Sequence, residues 1–147
     1  NLFVAGFIGS PQMNFVDATV EVNGDKAALV FGDFKVDLPA AKAKKVIDGG
    51  YNGKTVVMGI RPEDISNEAE DLAKWPNISS IVTNNELLGA ESQIRVKLPG
   101  KDSVGQAITA KVPARIDIHT NDQMKLMLNM NKCHFFDPET ENRIRRA

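Results

Sequence analysis

The stretch "MGIRPEDI", residues 58–65, places one cation and two carboxylates directly after an apolar run. Two carboxylates can act as general acid and base when they face each other across a cleft, at roughly 5 to 9.5 Å in glycoside hydrolases. Glu63 and Asp64 are adjacent, and adjacent side chains on an extended chain point apart. We therefore expect Arg61, Glu63 and Asp64 to be solvated charges of a turn, not a catalytic site.

The other residue types that could catalyse a reaction or bind a metal are equally few. The histidines and the cysteine, His119, His134 and Cys133, are too few for a zinc site, which usually takes four ligands in spaced Cys/His pairs. A cysteine nucleophile needs its imidazole across space rather than one residue along the chain. No GxxxxGK[ST] loop is present to hold a nucleotide phosphate. The sequence predicts no catalytic residue, no metal and no cofactor for this chain.

Composition and length narrow the class of protein further. The 147 residues are enough for one domain with a core of its own, and no apolar run approaches the roughly 20 residues that span a bilayer. A net charge of −1 and an aromatic fraction of 6% disfavour a nucleic-acid groove. The single cysteine suits a reducing cytosol. Because the chain starts with Asn1 rather than Met, we expect it to be processed or cut from a longer protein.

The elements that must position any site are mainly strands. Apolar and polar residues alternate with a period of two, and Gly, Asn, Asp and Pro separate the runs, which favours a small barrel or sandwich. Residues 23–25, Asn-Gly-Asp, signal a hairpin. The predicted strand segments are "DATVEVNG", "KAALVFGDFKVDLP", "KTVVMGI", "ISSIVTNNELLG", "ESQIRVKLPG", "AITAKVPARIDIH" and "MKLMLN", and "CHFFDPET" closes the series.

Three segments depart from this pattern. Residues 1–10 predict a short helix, which we treat as a connector, with the barrel over 11–147. "AAKAKKVID" predicts one or two helical turns ended by Gly49 and Gly50. The acidic stretch "SNEAEDLAKWPN" predicts a strandless loop of about a dozen residues. The fold class is therefore all-β, with a short N-terminal helix.

Four segments, in order, resemble the C-terminal region of ATP-binding subunits of sugar importers of the ABC class, maltose and multiple-sugar type. They are "NLFVAGFIGSPQMNF", "GIRPEDI", "ELLGAESQIRVKLPG" and "CHFFDPETENRI". The resemblance implies an OB-like barrel of the TOBE type that regulates and dimerises the subunit. It also implies a cytoplasmic place at the inner face of the membrane, a homodimer, contact with permease subunits through the parent ATPase, and a possible cytosolic regulator. ATP and magnesium would belong to the preceding domain; nucleic acid and membrane insertion are not expected.

The resemblance and the residues together nominate regulatory or interface positions. Gly59 is expected where a side chain would clash, and Gly89 where a turn needs a positive φ. Arg61 and Glu63 are expected at a strand end, free to pair within the domain or with a second copy. The resemblance places Phe15 near the regulator-sensitive surface, Glu86 at an acidic position linked to an inhibitory protein, and Glu91 in the turn. A solvated carboxylate at a strand end is an equally good interpretation of Glu86. Leu2 departs from the basic residue of the enteric maltose type, which argues against the same regulator.

The alternative function is a small-ligand binding barrel without catalytic activity, for an oxyanion or a sugar. Related barrels hold oxyanions between paired copies, with backbone amides and a Ser or Lys. Ser79, Ser80 and Ser92 are the candidates here, although no nest of glycine and serine amides is evident.

Overall fold

The computed structural model describes residues 12–99, 106–140 and 144. The predicted helix at 1–10, which includes Leu2, lies outside these residues. Ten strands are described: β1 (Asn14–Asn23), β2 (Lys26–Phe31), β3 (Phe34–Asp37), β4 (Thr55–Ile60), β5 (Ile65–Ser66), β6 (Asn77–Leu88), β7 (Glu91–Lys97), β8 (Ala107–Pro113), β9 (Gln123–Leu128) and β10 (His134–Phe136). The predicted all-β class is confirmed.

The strands form two five-stranded antiparallel sheets. The first has the order β10-β4-β1-β2-β3 and the second the order β5-β9-β6-β7-β8. Alternation sets the inner face of each: on β7 only Ser92, Ile94 and Val96 are buried. Most buried apolar side chains of both sheets belong to one core cluster, which includes Val20, Leu29, Met58, Ile94 and Leu126. The predicted hairpins β1–β2 and β6–β7 are both present.

Two helices accompany the sheets. Helix α1 (Ala40–Asp48) matches the prediction, because Ala43 and Val46 are buried on one face and Gly50 follows with a φ of +76°. Helix α2 (Ala69–Lys74) corrects the predicted acidic loop. Its sequence lacks an apolar stripe, but Ser66 donates a hydrogen bond to Asp71, and Lys74 pairs with Glu70 four residues earlier at 3.6 Å. No described helix is long and apolar enough to cross a membrane.

A second correction concerns "AITAKVPARIDIH", predicted as continuing alternation. Strand β8 ends at Pro113, and the following residues cross the end of the barrel. Arg115 N donates to Ser92 Oγ at 2.8 Å, and Asn85 Nδ2 donates to the carbonyls of Arg115 and Ile118 at 2.9 and 3.1 Å. These side-chain hydrogen bonds replace strand pairing, and a period-two pattern cannot reveal them.

The two sheets are joined by a side-chain amide. Asn14, at the start of β1, accepts a hydrogen bond from Thr109 N and donates one to Thr109 O, both at 2.8 Å. Thr109 lies on β8, the edge strand of the second sheet. Gln106 Oε1 also accepts from Asp17 N at 3.3 Å. The amide of Asn14 therefore takes the place of a neighbouring strand at this edge.

We expect Asn14→Asp to lower the free energy of unfolding by about 1–3 kcal/mol, because a carboxylate cannot donate to Thr109 O and repels it. Urea unfolding followed by circular dichroism measures this. Asn52→Asp is the matched control, since Asn52 only accepts, from Val22 N at 3.1 Å, and a carboxylate keeps that bond. Equal stabilities for the two variants would show that the amide does not hold the sheets together.

Candidate functional site

The turn that carries Arg61 and Glu63 is the crossing between the two sheets. Strand β4 ends at Ile60 in the first sheet, Pro62–Asp64 form a 3-10 turn, and β5 begins the second sheet at Ile65. Pro62 is buried and starts the turn, as its fixed φ and missing amide predict. Between β9 and β10 the chain returns to the first sheet, and it passes beside this turn, because Asn129 N donates to Asp64 O at 3.0 Å. The prediction of a turn at a strand end is confirmed.

Two of the three charges of this turn, Arg61 and Glu63, are exposed. Among the described residues Arg61 and Glu63 have no ion-pair partner. Partial burial and the neighbouring Glu63 raise the pKa of Asp64, while Lys132 and Arg61 oppose that shift. Glu63 and Asp64 are adjacent on one 3-10 turn, so they do not face each other across a cleft.

A polar cleft adjoins this turn. We call it the β1–β8 cleft; its volume is about 340 Å³, and it is lined by Gln12, Met13, Asn14, Phe15, Pro62, Gln93, Arg95, Ala107 and Thr109. Arg95 is exposed there and has no ion-pair partner in the described part of the chain. Asn14 and Arg95 were not predicted from the sequence, because both lie beside Thr109 of β8, which is remote in the chain.

Gly59 and Phe15 lie opposite each other on β4 and β1, and His134 of β10 flanks Gly59 on the other side. A Cβ at Gly59 would overlap Met13 Sδ and would come within 3.0 Å of Phe136 Cε2. The Phe15 and Phe136 rings meet edge to face, with centroids 5.8 Å apart. The close packing predicted at Gly59 is confirmed; its regulatory role, like that of Phe15, stays a prediction.

The β6–β7 hairpin carries the remaining candidates. Gly89 has a φ of +65°, as predicted for the turn. Glu86 is exposed on β6, opposite Gln93, which also lines the β1–β8 cleft. Glu91 pairs with Lys111 at 3.6 Å. Gln93 thus links the Phe15 and Glu86 regions, which the sequence could not show to be neighbours.

An exposed apolar group at the tip of this hairpin was not predicted. Leu87 is 51% exposed, Leu88 45%, and Ile116, on the loop bound to the hairpin, 81%. Among the described residues, the only other large apolar side chain classed as exposed is Trp75, at 43%. Two consecutive leucines on an alternating strand were the available signal, since they cannot both face the core.

The histidines and the cysteine form no site in the described residues. No group of three or more His, Cys, Asp or Glu that could hold a metal is found there. Cys133 is buried, its Sγ donates to Met130 O at 3.1 Å, and burial raises its pKa to about 11. The thiol is therefore protonated and inert at neutral pH.

A second unpredicted group connects the C-terminal strand to the loop after α1. Tyr51 donates from its hydroxyl to Asp137 Oδ2 at 2.7 Å, beside a cavity of about 600 Å³ that Lys54 and Glu139 also line. The hydrogen bond to Asp137 and burial raise the pKa of Tyr51 to about 12. The same bond, with the amides of Glu139 and Thr140, lowers the pKa of Asp137.

Comparison with known families decides the identity of the fold. A family described as "MalK OB fold domain" matches residues 9–65, and a family described as "TOBE domain" matches residues 58–136. The chain belongs to the TOBE domain family. The predicted OB-like barrel and the resemblance to sugar-importer ATP-binding subunits are both confirmed at this level.

The curated relatives agree with this assignment. The oligosaccharides import ATP-binding protein MsmX of Bacillus subtilis is 39% identical over 147 residues, covering 99% of this chain and 38% of the relative. The multiple sugar-binding transport ATP-binding protein MsmK of Streptococcus mutans is 36% identical over 148 residues, covering 99% and 37%. The chain thus spans less than two-fifths of the length of these relatives.

A solved structure shares the fold at low identity. The cytoplasmic molybdate-binding protein ModG superposes with a TM-score of 0.62 at 16% identity, covering 85% of this chain and 96% of that one. At this identity the similarity concerns the TOBE fold alone.

The Tyr51 hydrogen bond predicts a displaced titration. Since this is the only tyrosine, absorbance of tyrosinate reports it directly, and we expect a midpoint near 12. The folded pKa lies above the unfolded value of about 10, so the stabilisation is complete below pH 10 and is lost as pH rises through 12. Asp137→Asn should move the midpoint back toward 10. An unchanged midpoint in that variant would exclude Asp137 as the main cause.

The close approach at Gly59 predicts that Gly59→Ala lowers the free energy of unfolding by about 1–3 kcal/mol, because the added methyl overlaps Met13 and crowds Phe136. Thermal unfolding measures the loss. Adding Met13→Ala to that variant should cost less than Met13→Ala costs in the parent chain, since it removes the overlap. Strictly additive losses would contradict this explanation.

Proposed function

We propose that this chain is the regulatory and dimerisation domain of the ATP-binding subunit of a sugar importer, of the maltose or multiple-sugar type. The observation that carries the proposal is the match of sugar-import ATP-binding proteins over 99% of the chain. In this proposal ATP and magnesium are held by another part of the subunit, and this domain contributes contacts and no chemistry.

The geometry of the candidate residues supports such a role. Arg61, Glu63 and Glu86 are exposed, and no described residue pairs with them. Exposed ion pairs contribute only about 0–1 kcal/mol, so these charges suit orientation and selection of a partner better than stability. The partners proposed are a second copy of the chain, permease subunits reached through the parent ATPase, and a cytosolic regulator. The location proposed is the cytoplasmic face of the membrane.

The small-ligand alternative has weaker support. A cavity of about 360 Å³ is lined by Ser79, Ser80 and Lys125. Ser80 Oγ, however, donates to Met124 O at 2.8 Å, and Ser92 Oγ is bound to Arg115. Ser79 and Lys125 alone leave an oxyanion poorly held. The molybdate bound by ModG is a property of that protein, and the shared fold does not transfer it.

A domain exchange tests the proposal. The residues of MsmX that match this chain are replaced by the chain itself, and oligosaccharide uptake is measured in Bacillus subtilis that lacks MsmX. We expect the chimera to restore a substantial part of uptake, because the matched segment would fulfil the same role. MsmX lacking those residues is the control. A chimera present at normal level, yet no better than that control, would refute the proposal.

A further inference from the structure

We propose that the exposed end of the β6–β7 hairpin pairs with the same edge of a second copy, across a two-fold axis through Leu87. We call this the hairpin edge: residues Asn85–Leu88 together with Ile116. The inference rests on the dimerisation role proposed above and assigns it to one surface and one register.

The first support is that β6 is paired on one side only near its end. β9 pairs with β6 from Asn77 to Ile81, whereas β7 pairs with it up to Leu88. The loop before β9 then occupies the edge at Val82, whose N donates to Asp122 O at 2.8 Å and whose O accepts from Asn121 N at 2.7 Å. Beyond Thr83, no strand of the described part of the chain lies on this edge of β6.

The turn geometry indicates which peptide groups are available. A two-residue turn, Gly89-Ala90, joins Leu88 to Glu91, so these two residues exchange hydrogen bonds within the hairpin. Alternation then directs the N–H and C=O of Leu87 away from β7. An edge with outward peptide groups is a template for another strand.

Apolar side chains surround these groups. Leu87, Leu88 and Ile116 are all exposed. The loop bearing Ile116 is tied to the hairpin, since Ala114 N donates to Ala90 O at 3.0 Å. Three exposed large apolar side chains at one end of a small barrel indicate a contact surface.

The charges allow two copies to meet. Glu91 is paired with Lys111 at 3.6 Å, and Arg115 with Asp117 at 3.2 Å. Glu86 is the remaining charge on this part of β6, and it has no ion pair among the described residues. When two hairpin edges face each other, Glu86 is therefore the one charge on each copy that has no ion-pair partner among the described residues.

The same charge and the neighbouring loop select the register. An axis through Glu86 would place the two Glu86 carboxylates directly opposite, where like charges are destabilising. An axis through Asn85 would bring the second copy onto Val82 and Thr83, which loop 119–122 already occupies. An axis through Leu87 avoids both: Leu87 faces its own copy, and Glu86 faces Leu88. Because both sides are the same patch, the contact is closed and isologous.

Cysteine cross-linking of the 147-residue chain tests the register. Residues paired across the axis have Cα atoms about 5.5 Å apart, within disulfide range, so Leu87→Cys should give a covalent dimer on mild oxidation. Glu86→Cys should not, because its two copies would be offset by about 7 Å along the strands and lie on neighbouring strands, so their Cα atoms would be about 8 Å apart, beyond disulfide range. Trp75→Cys is a second negative control. Cys133 is buried, so we expect no cross-linking of the parent chain. Cross-linking through Glu86→Cys and not Leu87→Cys would overturn the proposal.

Sedimentation equilibrium tests the surface itself. We expect a concentration-dependent dimer whose dissociation constant rises about tenfold or more in Leu87→Lys, because an apolar contact is lost and two cations meet at the axis. Trp75→Lys, the same change at another exposed apolar position, should leave it within about twofold. A dimer unaffected by Leu87→Lys would overturn the hairpin edge and leave the dimerisation role standing. A strict monomer at every concentration would overturn both.

Discussion

The barrel depends on how the peptide groups at the edge of a sheet obtain hydrogen bonds where no neighbouring strand is present. β8 ends the second sheet, and a buried or half-buried edge with unpaired peptide groups costs about 1–3 kcal/mol for each group. Asn14 removes that cost at Thr109 by presenting an amide with the same donor and acceptor as a peptide. This contact fixes the start of β1 over β8, which in turn defines the β1–β8 cleft and the positions of Phe15 and Arg95 beside it.

The crossing between the sheets explains the unusual composition of "GIRPEDI". β4 is buried along most of its length, so the chain must leave the buried part of one sheet and enter the other sheet within a few residues. Pro62 supplies a fixed φ and carries no amide that needs a partner, and Gly59 lets Met13 and Phe136 pack against the strand. The charges that follow are tolerated because they reach solvent at the crossing, and they are therefore available to a partner.

The elements governed by local rules were predictable. Period-two alternation located most of the strands, although not the two-residue β5, and Asn-Gly and Leu-Leu-Gly turns located the hairpins, because these signals lie within a few residues. Helix α2 was missed because its stabilisation comes from Ser66 and an ion pair and not from an apolar stripe. The cleft and the loop across the barrel end were not predictable, since each depends on side chains bonding to backbone that is 23 to 95 residues away.

The same reasoning distinguishes two strand edges of the second sheet, that of β8 and that of the last residues of β6. β8 has its edge satisfied by Asn14, whereas the end of β6 keeps apolar side chains beside peptide groups that no described strand meets. Natural sheets usually protect such edges with lysine, proline or a bulge. β6 has its bulge between Val82 and Asn84, and beyond it come one charge, Glu86, then two leucines and no lysine or proline. An edge left in this state is better explained by a partner strand than by exposure to solvent.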